Sequence, residues 1–239
     1  MEYLKSYKIV IITAFVSAVI ILFVYGWSNF RVSEKKVMIT DFNSINAGGL
    51  MNVYLKKGDK PAVVIRADDF ILDKIKVEVI DGELRIDTQD GIHGERVTDA
   101  YVTYTSLNHI KVTSTIISQD VIKSNSLTIE TSGSSETKLR LDCDSLRLDM
   151  KNSGNVQLAG NTNFFQFSIE GVGDLMAYHL VSKNCVAKLD TGDQSPGIAR
   201  INVSDSISAN INGPRYIYYL GNPFIKKEII IGNGRLVRK

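Results

Sequence analysis

The sequence predicts an all-β fold, a right-handed parallel β-helix-like solenoid with rungs of about 20 residues, preceded by an N-terminal transmembrane helix. Two observations predict it. An uncharged apolar run stands near the N-terminus of the 239-residue chain, and a small polar turn with a glycine recurs along the second half. The steps between these glycines are 21, 19, 19, 21 and 21 residues, and the glycines are Gly133, Gly154, Gly173, Gly192, Gly213 and Gly234.

The first predicted element is a membrane anchor within residues 1–27. Residues 9–25 are 17 consecutive residues without a charge, which is the short end of what crosses a bilayer as a helix. Lys5 and Lys8 precede the run, so we expect the N-terminus to stay in the cytoplasm. A cleaved signal peptide is the alternative, although no A-x-A site follows the run. In either case the rest of the chain is expected to be exported.

The remainder of the chain divides into a polar linker, residues 28–36, and a β domain, residues 37–239. Residues 1–36 hold five of the 28 basic and two of the 26 acidic residues, which leaves 23 basic against 24 acidic residues in the domain. Because nucleic-acid-binding domains carry a basic surface, this balance argues against nucleic acid as a partner.

Alternation of apolar and polar residues predicts strands before the repeat begins. Asp81-Gly82 stands between two alternating runs and predicts a hairpin. Residues 70–74 are expected to form one helical turn. The predicted strands are residues 51–55, 62–67, 75–79, 84–87 and 100–105.

Within the repeat, apolar residues recur six and four positions before the turn glycine, as Leu127 and Ile129 do before Gly133. This spacing of two places both side chains on one face of a strand. We expect glycine at the turn because it reaches positive φ without a Cβ penalty. One rung cannot bury its apolar face alone, so stacked rungs are predicted. A β-sandwich of meandering hairpins is the alternative fold.

The order and spacing of several short motifs resemble the head GIN domain of putative auto-transporter adhesins, a family of Bacteroides-like bacteria. The resemblance covers about residues 40–236 and implies an envelope-associated, non-enzymatic protein. The chain departs from the family's Ser-Gly-Ser-Gly turns at residues 113–116 and 212–216. The motifs that carry the resemblance are Phe42-Asn43-Ser44-Ile45, Lys57-Gly58-Asp59, the segment 75–86, Tyr219-Leu220-Gly221-Asn222-Pro223 and Gly232-Asn233-Gly234.

The sequence carries no recognisable catalytic or metal-binding set. His93, His109 and His179 are scattered and share no ligand spacing with the two cysteines, and no G-x-S-x-G elbow or P-loop is present. We therefore expect no catalytic residue, no metal and no cofactor.

Cys143 and Cys185 either form one disulfide in an oxidising compartment or are buried free thiols.

Two groups of residues are candidate surface binding sites. Asp174, Asp190 and Asp193 lie at or near neighbouring turns and could bind Ca²⁺ or act on a glycan, or else support the turns. Tyr216 and Tyr218, with Tyr219 and Phe224, could stack on sugars or could close the last rung.

Three functions follow from these features. The first is a membrane-anchored binding or adhesion module whose body lies in the periplasm or at the cell surface, with a glycan or an envelope protein as partner. The second is a structural scaffold that self-associates end to end, with residues 228–231 suited to edge pairing. The third is a polysaccharide-active enzyme, for which the aspartates are the support.

Overall fold

The computed structural model describes residues 32–88, 98–134, 136–151, 154–190 and 197–239, which form 16 strands and one short helix. The elements are β1 (Val32–Val37), β2 (Ser44–Ala47), β3 (Asn52–Lys57), β4 (Ala62–Asp68), α1 (Asp69–Leu72), β5 (Ile75–Ile80), β6 (Glu83–Thr88), β7 (Thr98–Tyr104), β8 (His109–Val112), β9 (Thr115–Ser132), β10 (Glu136–Lys151), β11 (Asn155–Glu170), β12 (Leu175–Asp190), β13 (Ile198–Asn212), β14 (Tyr216–Leu220), β15 (Phe224–Ile231) and β16 (Arg235–Arg238).

The chain is a β-solenoid of about six turns, because the long strands pair in parallel with the strand one turn away. Strands β9 to β13 each form most of one rung. Parallel pairing excludes the alternative sandwich of hairpins, whose neighbouring strands would be antiparallel. The rungs are about 19 residues long. Register partners on successive rungs are 21, 19, 19, 24, 18 and 19 residues apart. These partners are Ile116, Thr137, Val156, Leu175, Ala199, Ile217 and Leu236. The right hand of the coil stays a prediction.

Each rung contributes to two sides of the solenoid. On the first side the beginnings of the long strands stack, and the ladder continues through β3, β7, β4 and β1. On the second side the ends of the long strands stack, and the ladder continues through β8, β2, β6 and β5. In β10 the buried residues change phase between Cys143 and Leu146, which marks the bend between the two sides.

The core lies between the two sides and is built from columns of apolar side chains. Inward positions of successive rungs stack because the side-chain period of a strand is two. Full burial of one Leu or Ile contributes about 1.5–3 kcal/mol, so the stack stabilises rungs that could not fold singly. One column on the second side consists of Ile129, Leu148, Phe167, Ala187 and Ala209.

The N-terminal end of the stack is closed by antiparallel strands. β1 pairs with β4, and β5 pairs with β6 through a turn in which Asp81 and Gly82 have φ of 51° and 76°. The predicted hairpin and the helical turn, found as α1, are both present. Residues 32–36, expected in the linker, are instead part of β1, because the backbone of this charged segment finds hydrogen-bond partners along β4.

The turn glycines serve two different purposes. Gly133 and Gly213 have φ of 79° and 113°, as predicted. At Gly173 and Gly234 the prediction of positive φ is wrong. A Cβ at Gly173 would collide with the carbonyl oxygen of Gly154, so close approach of two turns requires this glycine. Gly192 lies outside the described residues.

The predicted membrane anchor, residues 9–25, also lies outside the described residues. In the part of the chain that the structure describes, no helix is long and apolar enough to span a bilayer.

Candidate functional site

The first side of the solenoid carries an open groove of about 670 Å³, here named the basic groove. It crosses five successive strands, from β9 to β13. Its lining residues are Ile117, Ser118, Lys138, Leu139, Arg140, Gln157, Leu158, Ala159, Met176, Tyr178, His179 and Arg200.

The groove lies where neighbouring rungs differ in length on the first side. β9 has two more residues than β10 between the pairs Lys138–Ile117 and Arg140–Val121. β12 has three residues between Ala177 and Val181 that have no counterpart in β13. Bulges of this kind bend a strand and redirect its side chains, which accounts for a concave surface here. The floor of the groove on β11 is formed by Ala159, whose side chain is small. It is followed by Gly160, which has no side chain and a φ of 120°.

Positive charge dominates the groove. Lys138, Arg140 and Arg200 line it, whereas none of the lining residues is Asp or Glu. Lys138 forms an ion pair of 2.9 Å with Glu136 at the margin. The Arg140 guanidinium donates to the carbonyl of Gln119, an uncharged acceptor, so its charge is available to a ligand.

An outward-facing column of residues runs through the groove and beyond it at both ends. These residues occupy the same register position on eight adjacent strands, from β7 to β14. We name this column the track, and it consists of Tyr101, Tyr54, Ile117, Lys138, Gln157, Met176, Arg200 and Tyr218.

The second side carries a groove of about 590 Å³, here named the charged ladder, whose lining mixes both signs of charge. Arg147 Nε lies 2.7 Å from Asp149 Oδ2, and Ser168 donates a hydrogen bond of 2.7 Å to the same carboxylate. Burial raises the pKa of Asp149, but these hydrogen bonds and the charges of Arg147 and Lys151 outweigh it and hold the pKa below its usual value. The lining charges are Lys111, Glu130, Arg147, Asp149, Lys151, Glu170 and Lys188.

A chain of hydrogen bonds at the edge of the ladder resembles a catalytic triad in composition only. Ser44 Oγ lies 3.3 Å from His109 Nδ1, and His109 Nε2 lies 3.1 Å from Glu130 Oε1. An acyl-transfer site also needs free amides next to the hydroxyl to bind the oxyanion. The Ser44 amide instead donates to the carbonyl of Gly82 at 3.3 Å. The arrangement therefore links three neighbouring strands, β2, β8 and β9.

Of the predicted aspartates, the structure describes Asp174 and Asp190. The Asp174 carboxylate accepts the Ile198 amide at 2.8 Å, and Asp190 accepts the Asn212 side chain at 3.0 Å. They occupy different register columns, because Asp174 precedes β12 and Asp190 ends it. Both contacts support neighbouring turns. Asp193 lies outside the described residues, and a role of the three in ligand binding stays a prediction.

A buried arginine ties the same turns together. Arg215 is fully buried, and its guanidinium donates to the carbonyls of Gly173 at 2.9 Å and Gly171 at 2.7 Å, two turns away. Burial lowers the pKa of Arg215, and the charge of Asp174 partly offsets this effect. The cation is thus held by the fold and is not available to a ligand.

The C-terminal aromatic residues fall into three environments. Tyr219 is buried in the core. Tyr216 and Tyr218 lie outward on β14 with ring centroids 5.9 Å apart, and Lys239 Nζ lies 4.6 Å from the Tyr218 ring. Phe224 is 71% exposed on β15. Tyr218 therefore belongs to the track, whereas Tyr219 helps to close the core.

Both cysteines are free and buried. Burial raises the pKa of the Cys143 thiol, although a contact with Thr162 opposes this, and burial alone raises the pKa of Cys185. Neither thiol has the depressed pKa of a nucleophile. Among the described residues no cluster of His, Cys, Asp and Glu side chains could hold a metal ion.

Sequence reasoning missed the basic residues of the groove. Lys138, Arg140 and Arg200 stand 5, 7 and 8 residues after the repeat glycine that precedes each of them, so they share no fixed offset. Because side chains of a strand alternate between inward and outward, the sequence around Gly133 does predict that Lys138 and Arg140 lie on the same outer face of one strand. It does not align Arg200, whose register depends on the bulge in β12.

Comparison with known proteins identifies the family. The sequence model of the family described as "Putative auto-transporter adhesin, head GIN domain" matches residues 41–223. No curated protein matches the chain at a significant level.

Solved structures of Bacteroides-like bacteria share the fold. A putative adhesin of Bacteroides fragilis is 24% identical with a TM-score of 0.80, over 87% of this chain and 97% of that one. A putative lipid binding protein of Parabacteroides distasonis is 19% identical with a TM-score of 0.67, over 87% and 97%. A putative adhesin of Parabacteroides merdae is 22% identical with a TM-score of 0.63, over 87% and 96%.

Since the family's sequence model matches most of the chain and the sequence resemblance covers the same residues, the protein belongs to the head GIN domain family of putative auto-transporter adhesins.

Proposed function

We propose that the protein is an exported, non-enzymatic binding module of the bacterial cell envelope that takes its ligand in the basic groove. The observation that carries this proposal is a groove of about 670 Å³ lined by cations with no lining carboxylate. The family is described as adhesins, and two of the similar structures bear the same description. An envelope glycan or an envelope protein is the proposed partner.

The chemistry of the described residues supports binding rather than catalysis. The serine and histidine that come together, Ser44 and His109, lie in paired strands, and the Ser44 amide donates to the carbonyl of Gly82. Asp174 and Asp190 are engaged in turn contacts. A polysaccharide-active enzyme would need a pair of carboxylates facing one cleft. The basic groove has none among its lining residues.

The experiment tests whether a bulky side chain on the floor of the basic groove prevents ligand binding. Ala159→Trp on β11 would fill it, while Ser208→Trp on β13 places the same side chain on the second side as a control. Purified full-length protein in mild detergent is titrated against a panel of cell-wall and capsular polysaccharides and envelope proteins. We expect at least one member to bind, with affinity falling tenfold or more in A159W and staying unchanged in S208W. Absence of any binding, or equal affinities in the two variants, would refute the proposal.

We further propose that residues 9–25 anchor the protein in the membrane as an uncleaved segment, with the β domain outside the cytoplasm. The supporting observation is the uncharged run of 17 residues with Lys5 and Lys8 before it. Protease added to intact cells should digest a surface-exposed domain. Digestion only after permeabilisation would place the domain in the periplasm, and protection in both cases would contradict export.

End-to-end self-association is a second candidate function, supported by the C-terminal end of the stack. β15 is the last strand on the second side and pairs only with β13 among the described strands. Ile225 and Ile230 stack on the inward residues Ile207 and Ile211, yet they are 39% and 37% exposed. The core is therefore open at this end, which favours pairing with another strand edge.

A second copy of the chain, presenting its own β15 edge, is the proposed occupant of this end. Association would then join two C-terminal ends. Analytical ultracentrifugation in detergent should show a concentration-dependent dimer for the native chain and a monomer for Ile230→Lys. A native chain that stays monomeric at high concentration would exclude this function.

A further inference from the structure

We infer that the track, together with Arg140 beside it in the basic groove, binds an extended acidic polysaccharide, with the sugar carboxylates on Arg140 and Arg200. This inference rests on the proposed binding function and names the ligand class of the same site. Its basis is the register, which brings residues from distant parts of the sequence into one line across the first side of the solenoid.

The length of the track fits a linear polymer. The track occupies eight adjacent strands from β7 to β14. With a strand separation of about 4.8 Å, the seven spacings give a length of about 34 Å. A small molecule would occupy only part of this line, whereas an extended sugar chain can contact all of it.

The positive charge of the track and of the adjoining Arg140 fits a carboxylate-bearing ligand. Arginine guanidinium groups bind carboxylates with two parallel hydrogen bonds. Among the described residues, Arg140 and Arg200 form no ion pair with a carboxylate. On the charged ladder, by contrast, Arg147 is already paired with Asp149 at 2.7 Å. A ligand carboxylate would therefore gain a partner on the first side without displacing one.

Tyrosines flank the cations at both ends of the track. Tyr54 and Tyr101 stack with ring centroids 5.1 Å apart at one end, and Tyr218 stacks with Tyr216 at the other. Tyr178 lies between them in the groove. Tyrosine supplies apolar surface and a hydroxyl together, which suits a sugar ring with one polar and one apolar surface.

Two other anionic partners fit less well. A lipid needs a chamber for its acyl chains, but the interior beneath the groove is filled by Leu139 and Leu158, which are each 2% exposed. A nucleic acid is bound by dense basic surfaces. Along the track the cations Lys138 and Arg200 are separated by two uncharged positions, Gln157 and Met176.

The ligand test uses polygalacturonate and its methyl ester, which have the same sugar backbone with free and with blocked carboxylates. Full-length protein in mild detergent is titrated with both polymers at 0.15 M salt, where charges farther apart than about 8 Å are largely screened. We expect the free acid to bind at least tenfold more tightly than the ester. Equal affinities, or tighter binding of single-stranded DNA or of anionic lipid vesicles, would overturn the inference.

The site test compares two double variants that each remove two positive charges. Arg140→Gln with Arg200→Gln alters the first side, and Lys111→Gln with Lys188→Gln alters the charged ladder. We expect the first pair to weaken polygalacturonate binding tenfold or more and the second pair to change it less than twofold. Equal losses would mean non-specific attraction and would overturn the inference. Either failure would leave the proposed binding function standing if a neutral polysaccharide bound the native protein and Ala159→Trp abolished that binding.

Discussion

The basic groove and the charged ladder lie on two sides of the same rungs and have similar volumes, about 670 and 590 Å³. In the ladder, cations face carboxylates, and Arg147, Asp149 and Ser168 join neighbouring strands in one network. In the groove, Arg140 and Arg200 face no lining carboxylate. The comparison teaches that the two grooves differ in how their arginines are paired rather than in whether they contain cations.

The two sides also differ in their backbones. On the second side the ends of β10 and β11 pair without a register shift from Ser145 to Lys151. On the first side, shifts interrupt the pairing of β9 with β10, β11 with β12 and β12 with β13. Bulges redirect side chains and curve a sheet. The first side thus acquires a concave surface. The second side keeps a continuous ladder of contacts from β8 to β12, and a register shift follows between β13 and β15.

The largest expected effect of a substitution is at Gly160, where the floor of the groove is built. An alanine Cβ there would collide with the Leu141 carbonyl oxygen at a φ of 120°. We expect Gly160→Ala to lower the free energy of unfolding by about 3 kcal/mol, from strain and displacement of the backbone. Gly82→Ala is the control, because its Cβ would meet nothing nearer than Asn43 Oδ1 at 3.8 Å. Its cost, from a φ of 76° alone, should be about 1 kcal/mol.

Chemical denaturation of both glycine variants measures these free energies. A loss at Gly160 no greater than the loss at Gly82 would mean that β11 can move away from β10, and the rigid floor of the groove would be wrong.

A loss of affinity of intermediate size is expected when a glutamate is added to the basic groove, so that the groove carries both signs of charge as the charged ladder does. Gln157 and Gln166 both lie on β11, one lining each groove. Gln157→Glu places a carboxylate between the cations, so we expect polygalacturonate to bind about tenfold more weakly, which corresponds to about 1.4 kcal/mol. Gln166→Glu adds the same charge to the ladder and should leave affinity unchanged. Equal weakening in both variants would show that overall charge, rather than the groove, controls affinity.

The smallest effect is expected in the ladder itself. Because the pKa of Asp149 is held low in the folded chain, its contacts stabilise the fold above the unfolded pKa near 3.9 and lose this contribution as pH falls through the folded pKa. The Arg147 side chain is 55% exposed, so we expect Asp149→Asn to cost about 1 kcal/mol or less at pH 7 and nothing near pH 2.

Urea unfolding at the two pH values measures the effect, with Asp59→Asn in an exposed turn as the control. A cost for Asp149→Asn that persisted at the lower pH would show that the ion pair is not its source.

The sequence predicted the fold well because the period is carried by local signals. Turn glycines and apolar pairs recur at nearly constant spacing, and stacking of equivalent positions follows from that spacing. The Asp81-Gly82 hairpin was likewise predictable, since the turn conformation depends on these two residues.

The groove was not predictable in the same way, because it arises from departures from the period. Met176 and Arg200 are register partners although they are 24 residues apart, and Lys138 and Gln157 are partners at 19. The lengths of the bulges in β9 and β12 depend on packing against the neighbouring rungs, which no local sequence pattern shows. Tyr218 was predicted as a surface residue, but its alignment with Arg200 required the register.

The most direct test of the account is hydroxyl-radical footprinting of the full-length protein with saturating polygalacturonate. Met176 lies in the basic groove and is 38% exposed, while Met38 lies on the far N-terminal cap and is 89% exposed. The account predicts that the polymer slows oxidation of Met176 several-fold and leaves Met38 unchanged, and that the methyl ester protects neither. Unchanged oxidation of Met176, or equal protection of both methionines, would contradict a binding site on the first side of the solenoid.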